Sequence, residues 1–193
     1  MLAAGASRRF GEQKLVAPLA GKAVVRHAVE RAIASGVEET IVVTGANAKE
    51  VRAALTGLAV RFVENPQFAQ GMSTSLAAGI AALAPGTEAA IIVLGDQPFV
   101  PAEAYAAVLR EYRERRAPIV APSYNGVRGH PVLFDAALFG ELLATRGDRG
   151  ARGVIGSDPR RAHYVELALP VPADVDDPAA LTMLEYGIQE GHA

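Results

Sequence analysis

Residues 2–14 read LAAGASRRFGEQK, and this stretch predicts how the fold begins. A short apolar run leads into a loop that is flanked by glycines and contains arginines and a lysine. Gly5 and Gly11 let the backbone turn tightly and approach a ligand closely, because neither residue has a Cβ atom. Backbone amides exposed in such a loop bind anions, and Arg9 and Lys14 add positive charge. The stretch therefore predicts a loop that binds a triphosphate.

The strand that precedes this loop is short. Only residues 1–4 can belong to it, whereas a central parallel strand usually has about five residues. We expect either that the native chain begins upstream of Met1 or that this first strand is unusually short.

Apolar, β-branched runs and amphipathic segments alternate along the rest of the chain. Strands are predicted at 40–44, 60–64, 89–94, 119–122 and 164–169, and helices at 23–35, 47–55, 73–83, 101–116, 136–144 and 179–189. Residues 147–153 are predicted as a charged, glycine-rich loop. This alternation indicates an open, three-layer α/β/α sandwich with a mostly parallel, Rossmann-like sheet.

The length and amino-acid composition of the chain exclude several classes of protein and of functional site. The 193 residues suit one domain spanning 1–193, and half of them are apolar. A net charge of −2 argues against nucleic acid as a partner. Since the chain has no cysteine, disulfides, thiolate metal sites and cysteine nucleophiles are excluded. No apolar run approaches the ~20 residues that span a bilayer. We expect a cytoplasmic protein without a membrane partner.

Several common motifs do not fit. The loop after Gly5 lacks the spacing of a Walker A motif, and it also lacks the second glycine of a dinucleotide fingerprint. Residues 71–75 fail as a nucleophile elbow, because Ser75 stands where the last glycine belongs. The four histidines are not spaced as metal ligands.

Acidic residues follow the predicted strands. Asp96 comes directly after the most apolar strand, and Asp174, Asp176 and Asp177 form a second acidic group. Ligands of open α/β sheets bind beyond the carboxyl ends of the strands, and Mg²⁺ prefers one or two carboxylates together with substrate phosphates. A cationic loop, Asp96 and a second aspartate therefore predict a site for Mg²⁺ and a nucleotide, and displacement at phosphorus as the chemistry.

The motifs together resemble a known family. Residues 2–14 are similar to the signature of the MobA-like nucleotidyltransferases and, within these, of the molybdenum cofactor cytidylyltransferases. Further stretches that match are 71–76, 95–98, 128–131, 147–152 and 174–178. The resemblance covers nearly the whole chain, and it implies transfer of CMP from CTP to molybdopterin with release of pyrophosphate.

The resemblance also implies roles for individual residues. Arg9 and Lys14 would hold the triphosphate, and with Asp96 they are the expected catalytic residues. The nucleotide would also contact Leu2, Ala3, Ala4, Gly5, Ser7 and Ser75, with Ala4 favouring cytosine over guanine. Asp96 and Asp176 would bind Mg²⁺. The acceptor would face His130, Asp148, Arg149 and Arg152, and a molybdoenzyme would receive the product. No role is assigned to Asp177.

Other interpretations remain open at this point. Ser73 is a candidate N-cap of a helix, Ser75 could act likewise, and His130 could be purely structural. Asp174 and Asp177 read as turn residues. The donor could be GTP, and the acceptor a sugar phosphate or another phosphorylated compound. The chain could also be a non-catalytic protein that delivers a nucleotide or cofactor, or an oxidoreductase on the same scaffold.

Overall fold

The computed structural model describes residues 1–5 and 13–189, with strands and helices alternating along the chain. The strands are β1 (Leu2–Ala3), β2 (Pro18–Leu19), β3 (Lys22–Ala23), β4 (Ile41–Thr44), β5 (Arg61–Glu64), β6 (Ala89–Ile92), β7 (Ile119–Tyr124), β8 (Val127–Arg128), β9 (Val132–Asp135) and β10 (Ala162–Leu167). The helices are α1 (Val24–Ala34), α2 (Ala48–Ala54), α3 (Met72–Ala81), α4 (Ala102–Arg115), α5 (Phe139–Ala144), α6 (Arg152–Ser157) and α7 (Pro178–Gln189). None of these helices combines the length and apolar character needed to cross a bilayer.

The central sheet is mostly parallel and has its switch point at β1. Strands β1, β4 and β5 are parallel neighbours, and β6, β9, β7 and β10 continue on the other side of β1. Leu2 joins the two halves, since its N–H donates to the Val93 carbonyl and its carbonyl accepts from the Gly95 N–H, both at 2.9 Å. Strand β9 alone among these is antiparallel to its neighbours β6 and β7. In open sheets, ligands bind where the strand order reverses, here between β1 and β6.

Helices cover both faces of this sheet because successive side chains of a strand point to opposite faces. One face packs buried residues of α1, α2 and α4, including Val29, Val51 and Tyr105, against strand residues such as Val42. The other packs α3, α5 and α6 against Phe134 and its neighbours. The predicted three-layer α/β/α fold is confirmed.

Most predicted elements appear within one to three residues of their expected ends, with three differences. A small antiparallel hairpin, β2–β3, follows Lys14 where irregular chain was expected. Helix α6 occupies part of the region 147–153 that was predicted as a loop, because burial of Val154 stabilises a glycine-containing helix of six residues. Helix α3 begins at Met72 with Gly71 as its N-cap, so the prediction of Ser73 as the N-cap is wrong.

Strand β1 has only two residues, as the sequence indicated. It lies beside Val43 and Thr44 in the second half of β4. A cavity of about 550 Å³ lies at the opposite end of the sheet, between the beginnings of β4 and β6, and is lined by Ile41, Ala89 and their neighbours. The cavity is therefore remote from the edge at which Asp96 lies.

Asp177 caps the last helix. Its carboxylate accepts a hydrogen bond of 2.8 Å from the N–H of Ala180, and Pro178 occupies the first helical position. The apolar side of α7, with Leu181, Leu184 and Ile188, packs against a buried cluster of Leu19, Val24 and Val175. The extra carboxylate that the sequence left without a role thus fixes the start of α7, one residue after Asp176.

Replacing Asp177 with alanine removes this cap. We expect the free energy of unfolding to fall by about 1 kcal/mol, the usual cost of losing an N-cap, measured by urea denaturation. Asp177→Ser keeps an oxygen at the cap and is the control. Equal losses for the alanine and serine variants would contradict the capping role.

Candidate active site

Lys14 brings two carboxylates together at the carboxyl edge of the sheet. Its Nζ atom lies 2.6 Å from Oδ2 of Asp96 and 3.1 Å from Oδ1 of Asp176. Lys14 opens a short 3-10 helix, Asp96 follows β6, and Asp176 precedes α7. The side chains of Lys14 and Asp96 are 16% and 22% exposed, and that of Asp176 is 50% exposed. The structure therefore places three of the predicted site residues within hydrogen-bonding distance.

The charges of this group stabilise one another. Burial lowers the pKa of Lys14, but the carboxylates of Asp96 and Asp176 more than offset this effect, and the net shift is upward. The side chain of Lys14 is consequently protonated and positively charged at neutral pH. A fixed positive charge of this kind suits the binding of phosphate oxygens.

A third aspartate lies beside the group. The amide Nε2 of Gln97 donates a hydrogen bond of 2.5 Å to Oδ1 of Asp174, and the Val175 N–H donates to the Asp96 carbonyl at 2.9 Å. Burial raises the pKa of Asp174, as do the nearby carboxylates of Asp96 and Asp176. Asp174, taken from the sequence as a turn residue, is therefore bonded to the segment that carries Asp96.

The donor set suits a hard divalent cation. Within residues 1–5 and 13–189, no group of three or more acidic or histidine side chains is arranged to hold a metal ion. Asp96 and Asp176 offer two carboxylates, and Mg²⁺ typically takes one or two together with waters and substrate phosphates. Beside them, the buried Oε1 of Gln97 has no hydrogen-bond partner in the described part of the chain. The residues present thus fit an ion that is shared between protein and substrate.

The first strand ends at the same edge. Leu2 uses both of its backbone polar groups for hydrogen bonds within the sheet. Ala4 is buried, and Gly5 is exposed. Gly45 approaches Ala4 so closely that a Cβ on Gly45 would lie 2.7 Å from the Ala4 carbonyl oxygen. The predicted ligand residues Ser7 and Arg9 lie outside the described residues.

Ser75 belongs to a buried polar network that the sequence did not reveal. Nδ2 of Asn65 donates to the hydroxyl oxygens of Thr74 and Ser75 at 2.8 and 2.9 Å. Asn65 follows β5 at the carboxyl edge, is 4% exposed, and accepts from the Gln67 N–H. The network fixes the start of α3 relative to β5. The signal available in the sequence is a polar residue that follows a strand and precedes Pro66.

The predicted acceptor residues lie on neighbouring segments with different environments. His130 is partly buried, and burial lowers its pKa to about 4, with Arg152 adding to the effect and Asp96 opposing it. Arg149 and Arg152 are exposed. Arg152 and Asp96 are both near enough to His130 to affect its pKa.

Asp148 contacts the start of helix α3. Its Oδ1 accepts a hydrogen bond of 3.3 Å from the Met72 N–H at the start of α3. Gly71, with φ of +113°, makes this approach feasible, since a Cβ there would lie 2.7 Å from the Gly147 carbonyl group and 2.8 Å from Asp148 Oδ1. The loop expected to face the acceptor is thus docked onto the helix that carries Ser75.

A family profile described as "MobA-like NTP transferase domain" matches residues 1–164. The chain belongs to this family. The predicted family is therefore confirmed, and the chain is a member of the nucleotidyltransferase superfamily.

Curated relatives of this MobA-like protein have different names. Nicotine blue oxidoreductase of Paenarthrobacter nicotinovorans is 33% identical over 168 residues, which cover 82% of this chain and 81% of that protein. Molybdenum cofactor cytidylyltransferase of Escherichia coli strain K12 is 27% identical over 132 residues, which cover 68% of this chain and 66% of that protein. One of these two relatives is named as an oxidoreductase and the other as a cytidylyltransferase, so their names indicate different reactions.

Solved structures agree with the fold over almost the whole chain. A homologue of Mycobacterium tuberculosis Rv0371c from Mycobacterium sp. strain JC1 has a TM-score of 0.87 and 28% identity, covering 98% of this chain and 94% of that chain. Rv0371c of Mycobacterium tuberculosis H37Rv in complex with manganese has a TM-score of 0.81 and 26% identity, covering 96% and 95%.

The low pKa of His130 predicts a loss of stability in acid. In the unfolded chain a histidine has a pKa near 6.5, whereas in the fold the value is about 4. Between these values the unfolded state binds a proton that the folded state does not, so stability falls as the pH falls. Between pH 7 and pH 4, urea denaturation should show that the free energy of unfolding of His130→Gln falls by about 3 kcal/mol less than that of the wild type. An identical loss in both proteins would refute the buried, neutral histidine.

Proposed function

We propose that this MobA-like protein is a Mg²⁺-dependent nucleotidyltransferase that transfers CMP from CTP to molybdopterin and releases pyrophosphate. The observation that carries the proposal is Lys14 between Asp96 and Asp176 at the switch point of the sheet. A cation for phosphate oxygens and two carboxylates for a metal ion are what a nucleoside triphosphate requires. The E. coli relative and the manganese complex of Rv0371c support this choice.

In this proposal the protein acts mainly by positioning and by electrostatics. Lys14, together with Arg9, holds the triphosphate, and Asp96 and Asp176 hold Mg²⁺. When bound, Mg²⁺ would neutralise charge on the phosphate oxygens. An oxygen of the acceptor phosphate attacks the α-phosphorus of CTP, and the bond from that phosphorus to the pyrophosphate breaks. The acceptor phosphate is already ionised near neutral pH, so no dedicated general base is needed.

In this proposal each of the other site residues contacts either the nucleotide or the acceptor. Ala4, Gly5 and the Asn65–Ser75 network lie on the nucleotide side, where Ala4 favours cytosine. His130, Arg149 and Arg152 lie on the acceptor side, and the arginines would bind the anionic acceptor. His130 is neutral at pH 7, and it would therefore contribute hydrogen bonds rather than charge. A molybdoenzyme that takes up the product is the proposed protein partner.

The first test is pyrophosphate release with CTP and molybdopterin, compared with GTP and with a sugar phosphate. We expect release with CTP and molybdopterin, and a loss of at least about 10²-fold for Asp96→Ala and for Lys14→Ala, because each removes electrostatic stabilisation of the transferring group. Asp158→Ala and Lys22→Ala are matched controls, since these residues form separate ion pairs with Arg160 and Glu30. Near wild-type rates in Asp96→Ala would show that the metal assignment is wrong.

A second candidate is an oxidoreductase, favoured by the 33% identity to nicotine blue oxidoreductase. Such an enzyme would bind a redox cofactor such as NAD(P)H, although residues 2–14 lack the dinucleotide fingerprint. A non-catalytic delivery protein would bind CTP or cofactor without releasing pyrophosphate. Binding specificity therefore separates the candidates before any turnover is measured.

Thermal unfolding in the presence of different nucleotides provides this comparison. With Mg²⁺ and CTP at about 100 times the dissociation constant, the midpoint should rise by about 5–10 °C, because only the folded protein binds the ligand. GTP, ATP, UTP and NADPH should give smaller shifts. A larger shift with GTP would contradict the preference for cytosine, and a larger shift with NADPH would favour the oxidoreductase.

A further inference from the structure

The segment 174–176 lies outside every helix and strand, yet it carries one of the two carboxylates that Lys14 joins. Asp96, Asp174 and Asp176 lie near one another, and like charges at short range repel. Lys14 offsets part of this repulsion, but its bond to Asp176 is the longer one and is solvent-exposed. Further contacts must therefore hold the segment in place.

Two hydrogen bonds connect this segment to residues 96–97. The Val175 N–H donates to the Asp96 carbonyl at 2.9 Å, and Gln97 Nε2 donates to Asp174 Oδ1 at 2.5 Å. The Val175 side chain between them is fully buried. A backbone hydrogen bond, a side-chain hydrogen bond and a buried apolar side chain thus hold the segment beside Asp96.

The Gln97–Asp174 bond is well protected. Gln97 is only 8% exposed, and a charge-assisted hydrogen bond is stronger than a neutral one. The opposite orientation of the Gln97 amide would turn its oxygen toward a carboxylate, so the amide orientation is fixed by charge. The pair is therefore a firm link between the β6 edge and the start of α7.

We propose that Gln97 and Asp174 are positioning residues that hold Asp176 beside Asp96 in the geometry needed to bind the metal ion. This inference rests on the proposed function, because it concerns the same metal site. Asp174 acts through its hydrogen bond with Gln97 and does not itself touch the metal. An asparagine at position 174 would still accept that bond, whereas an asparagine in place of a direct ligand would weaken the metal site.

The test measures Mn²⁺ binding by electron paramagnetic resonance with CTP present and no acceptor. Gln97→Leu and Asp174→Ala should each weaken Mn²⁺ binding about 10-fold, the loss typical of residues that orient metal ligands. The double variant should be no weaker than either single variant, because both remove one interaction. Asp174→Asn should retain wild-type binding, whereas Asp176→Asn should not.

Hydrogen exchange provides a readout that needs neither metal nor activity. The Val175 amide should be protected in the wild type and in Asp174→Asn, and should exchange at least about 10-fold faster in Gln97→Leu, because the segment loosens. Unchanged Mn²⁺ affinity or unchanged exchange in Gln97→Leu would overturn the positioning role while leaving the proposed function intact. Loss of Mn²⁺ binding in Asp174→Asn would make Asp174 a ligand and would also overturn it. A wild type that binds no Mn²⁺ would overturn both proposals.

Discussion

The ion pairs of Lys14 with Asp96 and Asp176 join segments that lie 82 and 162 positions apart in the chain. Residues so far apart in the chain come together only because the fold brings their segments to the same place. The sheet does so, because β1 and β6 are neighbours at its switch point and both end at the same edge. The 3-10 helix that begins at Lys14 supplies the cation, and the turn after β6 supplies the first carboxylate.

Packing behind this edge limits how the site can move. Gly45 and Ala4 are in close contact, Asn65 ties β5 to α3, and Asp177 fixes the beginning of α7. The end of β1, the start of α3 and the start of α7 are thus each held in place beside the site. Such anchoring matters for phosphoryl transfer, in which the protein contributes mainly position and electrostatic stabilisation.

The sequence predicted the fold well where burial leaves a clear pattern. Strands β4 and β6 are apolar runs with the helices of both layers on either side, and amphipathic α1 has a regular apolar side. Helix α6 was missed because its six residues include two glycines and depend on tertiary packing. Local pattern carries no information about such packing.

For the site too, locally visible features could be predicted and tertiary contacts could not. Lys14, Asp96 and Asp176 could be selected because charged residues at strand ends and in a motif are visible locally. The partnership of Gln97 with Asp174 could not, since the two residues are 77 positions apart and a local motif does not show which residues pair. Asp148 was expected to face the acceptor, and its contact with the Met72 N–H depends on Gly71, whose backbone conformation cannot be read from its identity alone.

We propose that Asp96 and Asp176 share one metal ion while Lys14 binds the triphosphate. A crystal structure with CTP and Mn²⁺, with the metal located from its anomalous scattering, tests it most directly. We expect a single Mn²⁺ peak within about 2.5 Å of a carboxylate oxygen of each aspartate, and Lys14 Nζ within hydrogen-bonding distance of a phosphate oxygen. A Mn²⁺ ion bound elsewhere, with Lys14 still paired to both aspartates, would contradict it.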